Sequence, residues 1–190
     1  MSSTNAVLPA SIGPSLRRWR VLNRVKQDAL AHDLGVSQSR ISRWESGLTE
    51  PRGADLARIL SLLRAHPVSA SDRALLHLVS SSREPVHLVC DLTHRLLAVS
   101  PARARDWHTP IADLMFRPLW RYASEGIREA EKNLEENGWY EPQGPDICFE
   151  TEHAHFPEMT IPMSRIRISR LPLSDGSYAR LVRDDAFTDN

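Results

Sequence analysis

Two hydrophobic rhythms divide the chain. Up to residue 79, apolar positions recur at helical spacing, while after residue 85 short runs alternate or stay apolar, as strands do. Leu16, Trp19, Leu22 and Val25 predict the inward stripe of a first helix opened by Pro14, with Arg17, Arg18 and Arg24 outward. Further helices are predicted over 27–34, 37–46, 54–63 (Leu56, Ile59, Leu60 and Leu63 inward) and 69–79, the last capped by Ser69 or Ser71. The polar run 80–85 ends in Pro85 and marks a boundary. Residues 86–90 and 95–100 predict a hairpin turning at 91–94. Helices follow from 100–102, over 111–115 and over 118–137, where Ile127, Ala130 and Leu134 face inward and Gly138 is the stop. Strands are predicted over 146–152, 161–173 and 177–182, the last two joined by the turn Ser174-Asp175-Gly176. The expected class is α+β. A disordered arm (1–11) precedes an all-α head of five helices (12–80), then comes an antiparallel sheet with helices (84–184) and a tail (185–190).

The densest stretch is 27–44, QDALAHDLGVSQSRISRW. Ala29, Leu30 and Leu34 recur at helical spacing, Gly35 interrupts, and Ile41 with Trp44 begins a second stripe. Ala31 stands where two helices must pass closely, and Gly35 suits a left-handed helix stop. Ser37 is expected to cap the next helix through its hydroxyl. Two short helices joined by a tight turn make a helix-turn-helix.

Charge sharpens this division. The formal net charge is zero, yet residues 1–66 carry ten Lys/Arg against five Asp/Glu, and residues 67–190 carry fourteen against nineteen. A head at +5 and a body at −5 suit a DNA-facing head. Two cysteines, Cys90 and Cys148, exclude a disulfide framework or a Cys-rich zinc site and are expected to sit reduced in strands. No apolar run reaches the roughly 20 residues that span a bilayer, and the N-terminus lacks the makings of a secretory signal. A cytoplasmic location without a membrane partner is expected.

The LRRWR of 16–20, Gln27, the Ala31 and Gly35 spacing, Gly35-Val36-Ser37, Ile41-Ser42, Trp44-Glu45, Gly47 and Pro51 form a set. Over residues 12–65 that set resembles the lambda-repressor-like, or XRE-type, helix-turn-helix family. The resemblance implies a bacterial-type, sequence-specific transcription regulator whose third helix enters the major groove of double-stranded DNA. At the matching positions Gln38, Ser39, Arg40 and Arg43 would read bases, glutamine pairing with adenine and arginine with guanine. Lys26, Gln27, Ser37 and Arg52 would meet phosphates, Gln27 with help from the helix dipole. Lys26 stands where the family usually has a Ser or Thr cap. One such head grips few base pairs, so a homodimer on a palindromic operator is expected.

The strings VHLVCDLTHRLLAVSPA (86–102) and RIRISRLPLSDGSYARLV (165–182) place a hairpin, a helical crossing and a closing meander in order. Over 84–184 this resembles the PAS domain family, with Ser100 where an asparagine is common. The resemblance implies dimerisation and the sensing of a small-molecule effector. The cysteine-centred motif of flavin-binding light sensors is absent, and no cofactor is expected.

His153, His155 and Glu158 form the most metal-like cluster, since histidines two apart on a strand point the same way. It is similar to the first half of the cupin motif, but the flanking glycines and a second half are missing, so an exposed polar loop is expected there. His87 and His94 suit hydrogen-bonding roles better than haem ligation. Trp107, Trp120, Trp139, Tyr122 and Tyr140 are expected to pack the helical side of the second domain or to line an apolar pocket. No catalytic arrangement or glycine-rich phosphate loop has local support, so an enzyme is not expected. Two other readings compete: an antitoxin or protein-interaction module with a DNA-binding head, and a cupin-like metal-binding regulator or enzyme.

Overall fold

The computed structural model describes residues 12–141 and 143–185, so the expected arm (1–11) and nearly all of the expected tail lie outside the described residues. The chain divides into two compact units, Met1–Arg64 and Ala65–Asn190. The first is built from α1 (Ile12–Leu22), α2 (Gln27–Leu34), α3 (Gln38–Glu45) and α4 (Gly53–Leu63). Ile12 and Leu16, one turn apart, are buried together with Leu30, Ala31, Leu34, Ile41, Trp44, Ile59 and Leu63. This shifts the inward face of α1 from the expected stripe: Leu22 is 37% exposed and Trp19 only half-buried. The helix begins two residues before Pro14, which puts the buried line on 12, 16 and 20. Gly13 lets α1 lie directly on the backbone of α3, since a Cβ there would meet the Trp44 carbonyl oxygen at 1.8 Å.

Gly35 ends α2 at φ +66°, with its N–H donating to the His32 carbonyl and the Val36 N–H to the Ala31 carbonyl. Ser37 stands at the N-cap of α3 in extended conformation, but the expected cap bond is absent. Its hydroxyl instead meets the Ser39 hydroxyl at 3.1 Å, a partner that competes for the same oxygen. Lys26 precedes α2 without a side-chain cap.

The second unit, from Ala65, opens with α5 (Ala70–Ser80), the last of the five expected helices. Leu75, Leu76 and Val79 of α5 pack into the sheet core. Ser69 caps α5 in a reciprocal capping box with Asp72. The Asp72 carboxylate also accepts from the backbone N–H and the hydroxyl of Ser174, which ties the helix start to the last turn of the sheet.

The strands are β1 (Val86–Cys90), β2 (Leu96–Val99), β3 (Ile147–Thr151), β4 (Ala154–His155), β5 (Thr160–Ile161), β6 (Ser164–Pro172) and β7 (Tyr178–Asp184). Five of them form an antiparallel sheet in the order β2-β1-β7-β6-β3, and β4 pairs with β5 in a separate ribbon. The residues expected to form a polar loop therefore enter a short hairpin, and Pro162 and Met163 part it from β6. Between β2 and β3 run a 3-10 turn (Arg103–Asp106), α6 (Ile111–Leu114), a second 3-10 turn (Trp120–Tyr122) and α7 (Glu125–Asn133). The expected long helix over 118–137 breaks because Ala123 turns extended before Ser124 restarts the chain.

Alternation in β1 serves two faces. Val86, Leu88 and Cys90 pack toward α5, whereas His87 and Val89 look the other way. A bulge opposite Leu88 and Val89 leaves Leu97 unpaired in β2, so Leu97 and Ala98 both join the α5-side core. Burial on both faces explains why this hairpin reads as continuous apolar runs. Ser100 closes it: its buried hydroxyl accepts the N–H groups of Val86 and Arg103 at 3.1 Å and donates to the Glu84 carbonyl at 2.7 Å.

Candidate nucleic-acid interface and cavity

On α3, Ile41, Trp44 and Glu45 face inward, which leaves Gln38, Ser39, Arg40 and Arg43 exposed. Glu45 is the buried brace. Arg20 grips both of its oxygens, at 2.7 and 2.8 Å, and the Gln27 amide donates to it at 2.8 Å. Burial alone would raise this carboxyl, but the bonds from Arg20 and Gln27 hold it below the usual carboxylate range. Gln38 then donates to the Gln27 side-chain carbonyl at 2.6 Å. A continuous run of polar contacts thus links α1, α2 and the first residue of α3. The pairing of Arg20 with Glu45 was not foreseen, though an acid on the inward stripe beside Trp44 calls for a buried partner.

The other expected contact residues are placed as follows. Arg40 bonds Asp55 at 2.9 Å and lies 5.2 Å from the Trp44 ring centroid. Arg43 and Ser39 are exposed, while Gln27 is half-buried at the start of α2. Lys26 and Arg52 are exposed at the N-cap positions of α2 and α4, and Ser37 is exposed at that of α3. Three helix N-termini thus carry residues able to meet phosphate.

In the second unit, a charged network lies under the sheet. Asp91, fully buried at its side chain, receives Arg170 at 3.0 Å, Arg180 at 2.8 Å and the Trp139 indole N–H at 3.0 Å. Arg180 also reaches Glu131 at 2.6 Å, and His94 lies 3.4 Å from the same carboxylate. Burial would raise the Glu131 carboxyl, but the charge of Arg180, then that of His94, pulls it far below its ordinary range. Burial would lower Arg180, and the charges of Glu131 and Asp91 raise it instead. None of these partners was paired from the sequence, because the contacts span up to 89 residues.

Beside this network the sheet and the helical crossing line a partly open cavity of about 130 Å³. Trp107, Trp120 and Tyr122 line it as expected, whereas Trp139 bonds Asp91 and Tyr140 lies 5.4 Å from the Arg170 guanidinium. His87 also lines it, 6.4 Å from the Trp107 ring in edge-on contact. Its Nδ1 is buried and has no hydrogen-bond partner among the described residues. Burial, with the nearby Arg103 charge, pushes its pKa from 6.5 down to about 3. Between those values the unfolded chain takes up a proton that the folded chain refuses. The contribution of His87 is therefore complete above pH 6.5 and is lost as pH falls toward 3, at up to about 1.4 kcal/mol per unit. His87→Leu is expected to flatten the acid side of the stability profile in urea unfolding. An unaltered slope would assign the acid sensitivity elsewhere.

His153, His155 and Glu158 are not drawn into one site. Glu158 pairs with Arg121 at 2.7 Å, and His155 meets the Thr160 hydroxyl at 3.2 Å. Among the described residues no group of three or more His, Cys, Asp or Glu is arranged to hold a metal ion. Among the same residues no helix is long and apolar enough to cross a membrane.

Four packed helices with a braced third helix, followed by an antiparallel sheet crossed by short helices, define a two-part protein: a helix-turn-helix head and an α+β sheet unit. Residues 16–68 match the helix-turn-helix family model. An uncharacterized HTH-type transcriptional regulator of Archaeoglobus fulgidus is 40% identical over 57 residues, which are 30% of this chain and only 25% of that relative. Among solved structures, the PAS domain of an HTR-like protein from Haloarcula marismortui matches with TM-score 0.41 and 13% identity, covering 60% of this chain and 92% of that one. An RNA-binding light-oxygen-voltage receptor matches with TM-score 0.42 and 8% identity, covering 93% of this chain and 58% of that one.

Proposed function

We propose that this chain is a sequence-specific, DNA-binding transcription regulator of the bacterial cytoplasm. It acts as a homodimer on a palindromic operator, and its second unit serves dimerisation and small-molecule sensing. No catalytic role is part of this reading. The observation that carries it is the run Arg20–Glu45–Gln27–Gln38, which braces α3 while Gln38, Ser39 and Arg43 stay outward. A helix held in this way can place side chains against base edges without ordering itself on contact. Arg40 joins them after leaving Asp55, an exchange of one exposed ion pair for a contact to guanine.

The test is operator selection from random DNA, followed by gel shifts. Gln38→Ala and Arg43→Ala should each cost about 1–3 kcal/mol on the selected site and relax its sequence preference. Lys26→Ala and Arg52→Ala should weaken all sequences alike and lower the salt slope by about one each. Operator binding that ignores both Gln38→Ala and Arg43→Ala would refute the reading. Sedimentation equilibrium tests the dimer independently.

A further inference from the structure

We propose that the second-unit cavity takes a neutral molecule of one aromatic ring carrying a hydroxyl, a phenol in chemical class, recognised through the imidazole of His87. This rests on the reading of the second unit as the sensing part, and it names what is sensed.

Size comes first. A cavity of about 130 Å³ is close to the roughly 150 Å³ of an engineered apolar cavity that holds benzene. Its walled part admits one ring with a small substituent.

The walls come next. Val89, Trp107, Tyr122, Ile127, Phe149 and Met159 present mainly carbon, which suits a ring. His87 interrupts them. Strand alternation turns it away from α5 and into the cavity, and its ring makes no hydrogen bond among the described residues. A neutral imidazole has one donating and one accepting nitrogen, and a hydroxyl can pair with either. The depressed pKa of this ring keeps it in that neutral form near pH 7.

Charge excludes the ionised alternatives. Arg180 is ion-paired with Asp91 and Glu131, and Arg103 with Asp184 through the nitrogen that also meets the Pro85 carbonyl, while the Arg103 Nε has no partner among the described residues. An anion would enter beside the carboxylate of Asp106 with the charges of both guanidiniums already paired, and a cation would enter beside Arg103 and Arg180. Either would be desolvated without a free counter-charge.

Isothermal titration calorimetry of the full chain at neutral pH, with phenol, toluene and benzoate as probes, decides the matter. Phenol should bind at least tenfold more tightly than toluene, and benzoate should give no heat. His87→Leu should remove the advantage of phenol while keeping toluene, and Ile127→Trp should fill the cavity and abolish both. The wild-type ranking and Ile127→Trp keep the test decisive if His87→Leu does not fold. Silence from all three probes, tighter binding of benzoate, or a phenol advantage that survives His87→Leu overturns the proposal. If native mass spectrometry instead finds a charged or multi-ring molecule that Ile127→Trp displaces, the phenol class fails while sensing stands. Phenol binding that leaves operator affinity unchanged supports the class and removes the sensing role.

Discussion

Asp91→Ala is expected to destabilise the second unit by about 3–5 kcal/mol, the largest effect of any single substitution considered for it. The carboxylate is fully buried and faces two guanidiniums, Arg170 and Arg180, whose side chains are 6% and 7% exposed. Its removal strands Arg170 without a charged partner, leaves Arg180 with Glu131 alone, and orphans the Trp139 indole N–H. Asp91→Asn keeps an acceptor for Trp139 but not the charge, and should fall between alanine and wild type. Urea unfolding followed by near-ultraviolet circular dichroism measures both. A loss below about 1 kcal/mol for alanine would mean that water or Glu131 compensates the arginines.

Gly13→Ala should destabilise the first unit, against the sign that helix propensity alone predicts. In an ordinary helix interior this exchange stabilises by about 0.5–1 kcal/mol. Here the new methyl would sit 1.8 Å from the Trp44 carbonyl oxygen and 2.8 Å from its carbon, both of them backbone atoms of α3. Backbone cannot swing aside as a side chain can, so α1 must lift from α3. An overpacking cost of about 1–3 kcal/mol follows. The same lift pulls Arg20 from Glu45, so operator affinity should fall with thermal stability. Val21→Ala, at a position 59% exposed on the same helix, is the matched control and should leave both unchanged. A stabilised Gly13→Ala protein would show that the two helices are not in contact at this point.

The head was legible in the sequence because its constraints are local. Gly35, Ala31 and Trp44 stand within two turns of the elements they specify, and the helix-turn-helix reading over 12–65 agrees with the family match over 16–68. Its less legible features depend on distance. The inward face of α1 was misjudged because Arg20 turns toward Glu45, a partner 25 residues away. The missing cap bond at Ser37 depends on a competing hydroxyl two residues on. In the sheet unit the succession of the five main strands along the chain was readable from alternation and turns, but not their order in the sheet or the β4–β5 ribbon. What α5 packs against was not readable either, because its apolar stripe looks the same whether helices or strands cover it. His87 illustrates the remaining limit. Its strand was plain, but which face held a cavity depended on the crossing helices, whose break at Ala123 falls between the periodic segments, and on the late strands, parted at Pro162.

The sheet order carries a consequence for synthesis. β7 lies between β1 and β6, yet it follows both in the chain. Until it emerges from the ribosome, β1 and its hairpin have no neighbour on that edge, and β6 with β3 forms a detached pair. The same strand delivers Arg180 to Asp91 and joins β6, which carries Arg170, to β1, so the buried acid waits for both counter-charges until this strand arrives. The second unit therefore closes in one late, non-local step, whereas the helices of the first can pack on local contacts as they leave the ribosome.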